Sequence, residues 1–261
     1  MRPAPRWRWS TGPAMLGLVA LACAGCSAGS SPASSARRGS TTAHHVGSTT
    51  TDATAPSTTT TTLPPTTTTT AVPAFTSAVS AVTAAQLGGT WHAGCPVDPS
   101  QLVQISMSYW GFDNQPHTGT MVVNSSVVSA VISVFSTLYS DRFPIEEMVP
   151  ESAYGGNDNA AAAADDTSGF NCRDAVAPGP PQWSMHAYGE AIDVNDVQNP
   201  YIDGSTIIPP SGASYEDRAD VRPGMAVPGG QLVGAFTSIG WGWGGVWTGG
   251  VDYQHFSING R

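Results

Sequence analysis

Lysine is absent from the 261 residues, and all ten cations are arginines. Five of them, Arg2, Arg6, Arg8, Arg37 and Arg38, precede residue 74. The remainder sets Arg142, Arg173, Arg218, Arg222 and Arg261 against eighteen carboxylates, a formal balance of −13. A chain so poor in basic side chains lacks the positive face that counterion release from nucleic acid requires. The same deficit argues against adhesion of the domain itself to anionic lipid. Long apolar runs are also lacking, since the N-terminal run Ala14–Ala22 is too short to span a bilayer. Cysteine is scarce. The two beyond residue 73, Cys95 and Cys172, sit in no CxxC pair, which leaves reactive thiols little support. The aromatic and aliphatic content is nevertheless too high for a wholly disordered chain.

What is present is unevenly distributed. Arg2, Arg6 and Arg8 precede Ala14–Ala22, the order of a signal-peptide n-region and h-region. Small residues then lead to Cys26 in Cys23-Ala24-Gly25-Cys26, a pattern similar to a bacterial lipoprotein processing site. The position three before Cys26 is Cys23, where an aliphatic residue is usual, and Cys23 is itself a second candidate. The plainer alternative is an ordinary secretory signal. Residues 27–73 are dominated by Ser, Thr, Ala and Pro, with runs Thr58–Thr62 and Thr66–Thr70. Such a stretch buries too little apolar surface to offset its ordering entropy. As a flexible tether its 47 residues reach roughly 40 Å on average. The expected organisation is therefore a signal segment over 1–26, a linker over 27–73 and one domain over 74–261. The expected location is the cell envelope, with a lipid on Cys26 as the only membrane contact. In an exported chain the even pair Cys95 and Cys172 is expected to form a disulfide.

Within 74–261 the elements look short and mixed. Thr76–Leu87 reads as a short helix. Val103, Ile105, Met107 and Tyr109 alternate with polar residues, the period of a strand. Gly111 to Gly119 is turn-rich, and Thr120–Val123 reads as a second strand. Ser125 or Ser126 can cap a helix to about Tyr139, with Val131, Phe135 and Leu138 on its apolar stripe. Phe143–Met148, Phe170–Arg173, Ala191–Val194 and Asp252–Ile258 read as strands, Tyr154–Asp166 as a loop and Gln231–Ile239 as a helix. Asn199–Val227 is a long Pro/Gly/Asp-rich excursion. With no βαβ rhythm the class is α+β, a small and mostly antiparallel sheet with flanking helices.

Chemistry concentrates in two short stretches. One is Ser184-Met185-His186-Ala187-Tyr188-Gly189-Glu190-Ala191-Ile192-Asp193, the other Asp252-Tyr253-Gln254-His255-Phe256. Two imidazoles and a carboxylate form the ligand set of an open catalytic zinc site, and a second carboxylate can serve as a base. Spacing alone is a modest signal. His186 and Asp193 would face opposite sides of one continuous strand, and Gly189 makes a turn between them plausible. Asp252 and His255 are also of opposite parity, so a bulge or strand end should intervene. A capping histidine with surface carboxylates is the alternative.

The combination Ser-x-His-x-x-Gly-x-Ala-x-Asp with a later Asp-x-x-His resembles the zinc peptidases that trim peptidoglycan stem peptides. These are D-alanyl-D-alanine carboxypeptidases and dipeptidases, and the L-alanyl-D-glutamate peptidases of phage endolysins. The likeness extends to Thr167–Arg173, Asn199-Pro200-Tyr201 and Gly240–Trp247, over about residues 100–258. It implies the fold shared with the hedgehog signalling domain. It implies that His186, Asp193 and His255 hold Zn2+ and that Asp252 is the general base, a position where many relatives carry Glu. It implies that Arg173 stabilises an oxyanion or holds a substrate carboxylate, and that Ser184 contacts substrate. Asp165-Asp166 stand where the resemblance leads one to expect amides, a departure that touches no ligand.

Plainer roles stay open for several of these residues. Arg173 can pair with Asp174 or Asp166, and Ser184 can simply cap a turn. Trp241, Trp243 and Trp247 can stack on sugars or pack in the core. His92 and His117 lack a partner pattern, and His44 and His45 lie in the linker. A structural site of Cys95, Cys172, His186 and His255 lacks paired close spacings. The partner implied is a peptidoglycan stem peptide, with the chain a monomer. Cleavage of D-Ala-D-Ala and of L-Ala-D-Glu would use the same centre, differing in how loops 149–166 and 196–228 treat a free carboxylate. A non-catalytic wall-binding module of the same fold is the alternative from another class, and a structural stalk protein is a third.

Overall fold

A computed structural model describes residues 72–176 and 180–261. The signal, lipidation and most of the linker assignments, including Cys23 and Cys26, lie outside the described residues. Among the described residues nine strands fall into three antiparallel three-stranded sheets. The first contains β1 (Ser77–Ala81), β2 (Leu102–Trp110) and β3 (Pro116–Asn124) in that order. Ile105 faces Met121 and Val103 faces Val123 across the β2–β3 ladder. These side chains form one wall of the core. Helix α1 (Ala84–Leu87) separates β1 from β2, and α2 (Val128–Ser140) follows β3. The α2 residues Val131, Val134, Phe135 and Leu138 are buried against that wall. Each large apolar side chain so buried contributes roughly 1.5–3 kcal/mol relative to exposure.

The second half of the chain builds the other two sheets. After α3 (Asp158–Ala163), strand β4 (Ala191–Asp193) joins a sheet of order β4-β9-β7, with β7 at Gly242–Trp243 and β9 at His255–Ser257. Strands β5 (Tyr201–Asp203), β6 (Thr206–Ile208) and β8 (Val251–Asp252) form the third, in the order β6-β5-β8. Helix α4 (Gln231–Ser238) lays Leu232, Val233 and Phe236 on the core, where Phe236 stacks on Phe256 of β9 at 4.2 Å between ring centres. Among the described residues no helix is long and apolar enough to cross a membrane. The mixture of helices and small antiparallel sheets is the α+β class.

Several elements differ from the sequence reading for identifiable reasons. Ser77–Ala81 is a strand, not part of a helix, because its backbone pairs with the otherwise free edge of β2. Thr83 then caps α1 through a capping box with Gln86. Strand β3 starts at Pro116, earlier than Thr120. The residue that caps the turn before α2 is Asn124, whose side chain accepts from the Ser126 N–H at 3.1 Å. Phe143–Met148 and Phe170–Arg173 are not strands. The hydrogen bonds of the second segment go to different elements: Phe170 N–H donates to Val122 and Cys172 N–H to Thr90, at 2.8 and 2.9 Å. The supposed loop 154–166 contains α3, whose alanines are strong helix formers and whose Asn157 caps the first turn. The Pro/Gly-rich excursion holds the β5–β6 hairpin, turned at Gly204-Ser205.

Cys95 and Cys172 are joined in a disulfide, with Cα atoms 5.9 Å apart. It ties the turn after Gly88–Thr90 to the segment that carries Arg173. Glycine at 89 is required by close approach: a Cβ there would meet the Gly155 carbonyl. The turn containing Gly89 therefore lies backbone against backbone on the segment leading to α3.

Candidate active site

The three sequence-predicted ligands reach one point by three local devices. The Ser184 hydroxyl accepts from His186 N–H at 3.2 Å and starts the short 3-10 turn Met185–Tyr188. Gly189 ends it at φ +68°, and a Cβ there would sit 2.6 Å from the Asn124 amide nitrogen. The Gly189 carbonyl accepts from Asn124 N–H at 2.9 Å, so this turn is docked on the end of β3. The chain then enters β4, and Asp193 lies directly opposite His255 in the β4–β9 ladder. Directly paired residues project from the same face of a sheet. Strand β8 stops at Asp252 and a two-residue bend precedes β9, the break that the opposite parity of Asp252 and His255 demands.

His186, Asp193 and His255 are all buried, and their ligating atoms lie within 4.8 Å of one another. His186 Nε2 is 3.1 Å from Asp193 Oδ2 and 3.1 Å from His255 Nδ1. His255 Nδ1 is 3.1 Å from Asp193 Oδ1. The far ring nitrogens face main-chain acceptors, His186 Nδ1 the Gly169 carbonyl at 2.6 Å and His255 Nε2 the Arg261 oxygen at 3.2 Å. Those acceptors hold the ring protons on the far side and fix the tautomers. With the ring protons there, the near nitrogens turn lone pairs toward each other and toward a carboxylate, an arrangement that a bound cation or an added proton satisfies. Two nitrogens and one carboxylate, with no fourth protein ligand among the described residues, suit an open metal site.

The surroundings are strongly coupled. Burial alone would raise the Asp193 carboxyl, but His186 and His255 hold it well below the carboxylate range. Burial works against charging His186, and Asp193 outweighs it, so that imidazole is raised. Asp252 lines the same cleft, of about 900 Å3, with its Oδ1 sealed from solvent and lacking a partner. Burial, reinforced by Asp193, pushes its carboxyl up to about 7, against the pull of His255 and Arg173. That is the range in which a carboxylate works as a general base near neutrality.

Arg173 also lines the cleft, and its Nε donates to Asp158 Oδ1 at 2.8 Å. Neither Asp174 nor Asp166 supplies that side-chain partner. Desolvation acts to lower Arg173, but Asp158, Asp193 and Glu151 keep it raised and charged. Ser184 is buried, and its observed contact is the cap of the His186 turn. Trp241 and Trp243 belong to the core, whereas Trp247 lines the cleft with its ring centre 5.3 Å from that of His255. His117 is exposed beside Asp113. His92 lies beside the disulfide, whose bonded sulfurs rule out the alternative Cys/His metal set.

Sequence reasoning missed three contributors. Asp158 sits on the unanticipated α3. Ser168 exchanges both backbone hydrogen bonds with Asp193, at 3.0 and 3.1 Å, and its hydroxyl donates to buried Glu151 at 3.2 Å. Gly169 supplies the acceptor for His186. The segment Thr167–Arg173 was singled out in the sequence, but backbone acceptors leave no residue-type signal.

Asp165 and Asp166, the departures from the expected pattern, do not line the cleft. Asp165 accepts from Val197 N–H and the Gln198 amide, both at 2.7 Å, and Asp166 from Val149 N–H at 3.0 Å. Burial pushes Asp166 up to about 8, the Val149 and Thr167 amides opposing it. Its folded form therefore keeps a proton that the unfolded chain releases near its ordinary 3.8. Between those values the native state binds more protons, so stability falls as pH rises and levels off above about 8. Asp166→Asn should flatten this slope relative to the parent, measured by urea unfolding at pH 5 and pH 8. Equal slopes would show that Asp166 does not hold its proton.

Residues 178–258 match the family model described as D-alanyl-D-alanine carboxypeptidase. The matched stretch contains Ser184, His186, Asp193, Asp252 and His255 and stops short of Arg173. No curated protein and no solved structure matches the chain.

Proposed function

Because residues 178–258 carry the pattern of the D-alanyl-D-alanine carboxypeptidase family, we propose that this protein is a zinc-dependent peptidase of peptidoglycan stem peptides. The observation that carries the reading is the convergence of His186, Asp193 and His255 beside an unpartnered, buried Asp252 oxygen. Zinc held by those three side chains would supply Lewis-acid polarisation of a scissile carbonyl and of the attacking water. The chain's own residues do the rest. Asp252 takes the proton from the water and passes one to the leaving amine. Arg173 places a permanent positive charge where negative charge develops or where a substrate carboxylate rests. The His186 and His255 rings, fixed from behind by Gly169 and Arg261, need no reorientation to bind the ion.

The same reading extends to location. An arginine-rich start, a short apolar run and Cys26 favour export and lipidation, with the Thr/Pro stretch as a leash toward the wall. The deciding experiment is incubation of the purified chain with defined muropeptides, with product masses read to identify the bond cut. About one zinc per chain is expected, and a chelator should abolish turnover until zinc is returned. Metal affinity should decline as pH falls through the imidazole range, because both imidazoles must be neutral to bind and protons then compete for them. Active protein free of metal by elemental analysis would end the proposal.

A further inference from the structure

Arg173 lines the cleft, and its guanidinium is engaged unevenly. Nε is occupied by Asp158. Nη1 reaches only the Asp174 carbonyl, at 3.5 Å, and Nη2 meets no acceptor among the described residues. Both Asp158 and Arg173 line the cleft beside His186, Asp252 and His255. We propose that Asp158 is a positioning residue for the peptidase reaction: by taking Nε it turns the Nη1/Nη2 end of Arg173 toward substrate. The inference rests on the peptidase reading above, and gives Asp158 itself no contact with the reacting atoms.

The surrounding backbone is arranged to keep the pair in register. Arg173 N–H donates to the Asn171 carbonyl at 3.0 Å, and its own carbonyl accepts from Ser184 N–H at 3.1 Å. Ser184 in turn caps the turn bearing His186, so the Arg173 backbone is tied to the first ligand. Asp158 arrives from the opposite side at the first turn of α3. The segment before α3 rests through Gly155 and Gly156 on Gly89, and the next residue, Thr90, accepts from Cys172 N–H at 2.9 Å. One short turn, Gly88–Thr90, thus contacts the carriers of both Asp158 and Arg173. Glu151, on the same arm, reaches Ser168 and through it the backbone of Asp193. The arm that brings Asp158 is therefore fixed to the ligand frame at a second point.

A long arginine side chain without such an anchor samples many rotamers, and substrate binding has to select one. A charge-assisted bond to Nε removes that search while leaving the fork's end free. The pair is partly exposed, 25% for Arg173 and 39% for Asp158, where an ion pair adds little to stability. Loss of Asp158 should thus leave the fold standing and act chiefly through Arg173, its charge being also one of the smaller influences on Asp252.

A double-mutant cycle on the zinc-loaded full chain tests this. Asp158→Ala is expected to lower kcat/KM for a stem peptide by about 10- to 100-fold, with metal content and unfolding midpoint near those of the parent. In the Arg173→Ala background the same change should have almost no further effect. Asp158→Asn should recover a substantial part of the loss, since its amide oxygen can still accept from Nε. In 15N-arginine spectra, assigned by Arg173→Ala, the Arg173 Nε–H signal should exchange slowly in the parent and quickly in Asp158→Ala. Losses that multiply in the double variant, or an Arg173 signal unmoved by Asp158→Ala, would overturn the role of Asp158 while leaving the peptidase reading intact. A parent chain that cuts no stem peptide would instead remove that reading, and the catalytic role of Asp158 with it.

Discussion

Asp252→Ala is expected to cut turnover of a stem peptide by about 10²–10⁴-fold while leaving close to one zinc per chain. The separation follows from where the residue sits. The three side chains proposed as ligands come from the Met185–Tyr188 turn, β4 and β9, and none is supplied by β8. Removing the Asp252 carboxyl therefore takes a proton acceptor from the cleft without touching the ligand set. His255→Ala should behave differently. It leaves one imidazole and one carboxylate, and a two-ligand remnant holds zinc poorly, so metal and turnover should be lost together. Asp252→Glu should retain partial activity, because the chemistry is kept and only the reach changes. Elemental analysis beside muropeptide turnover separates the cases. A fully active Asp252→Ala protein would remove Asp252 from the mechanism, and a metal-free one would make it a ligand.

The disulfide should account for the largest single change in stability. Replacing Cys95 and Cys172 by alanine is expected to lower the unfolding free energy by about 2–5 kcal/mol. The bridge closes a loop with a sequence separation of 77, and restricting so long a loop removes much entropy from the unfolded chain. The replacement also opens a packed site, since Cys172 belongs to the small cluster with Leu87, Leu102, Val122 and Phe170. Denaturant unfolding of oxidised parent and double variant measures the difference. A change under about 1 kcal/mol would mean that hydrogen bonds such as Cys172 N–H to Thr90 already hold the segment. Because Arg173 follows Cys172 directly, the variant's turnover should also fall.

The clustering of His186, Asp193 and His255 was more legible in the sequence than the fold around it. The candidate ligands stand in close pattern, and the parity conflicts of His186 with Asp193 and of Asp252 with His255 pointed to a turn and a strand break. Strand β2 and helix α2 were legible because their apolar periodicity is strong. Strand β1 was not, since all five of its residues are exposed and only pairing with β2 selects the extended state. The Ala run of α3 looked like a loop of small residues because it lacks a wide apolar stripe, although Asn157 and the alanines are local helix signals. With α3 unseen, Asp158 could not be connected to Arg173. The roles of Ser168 and Gly169 rest mainly on main-chain atoms, and these carry no identity that a sequence displays.

The packing of Gly89 on Gly155 bears on how a substitution scan of this chain would read. Gly89 has no titratable group, no contact with the cleft and no place in the chemistry. Any side chain there still meets a carbonyl of the arm that delivers Asp158. Backbone has no alternative rotamer with which to yield, so the collision is resolved by displacement of the arm or by loss of the fold. In a library scored only by growth or turnover, position 89 would therefore look as intolerant as His186, and intolerance by itself would mark a spacing requirement as though it were a reacting group.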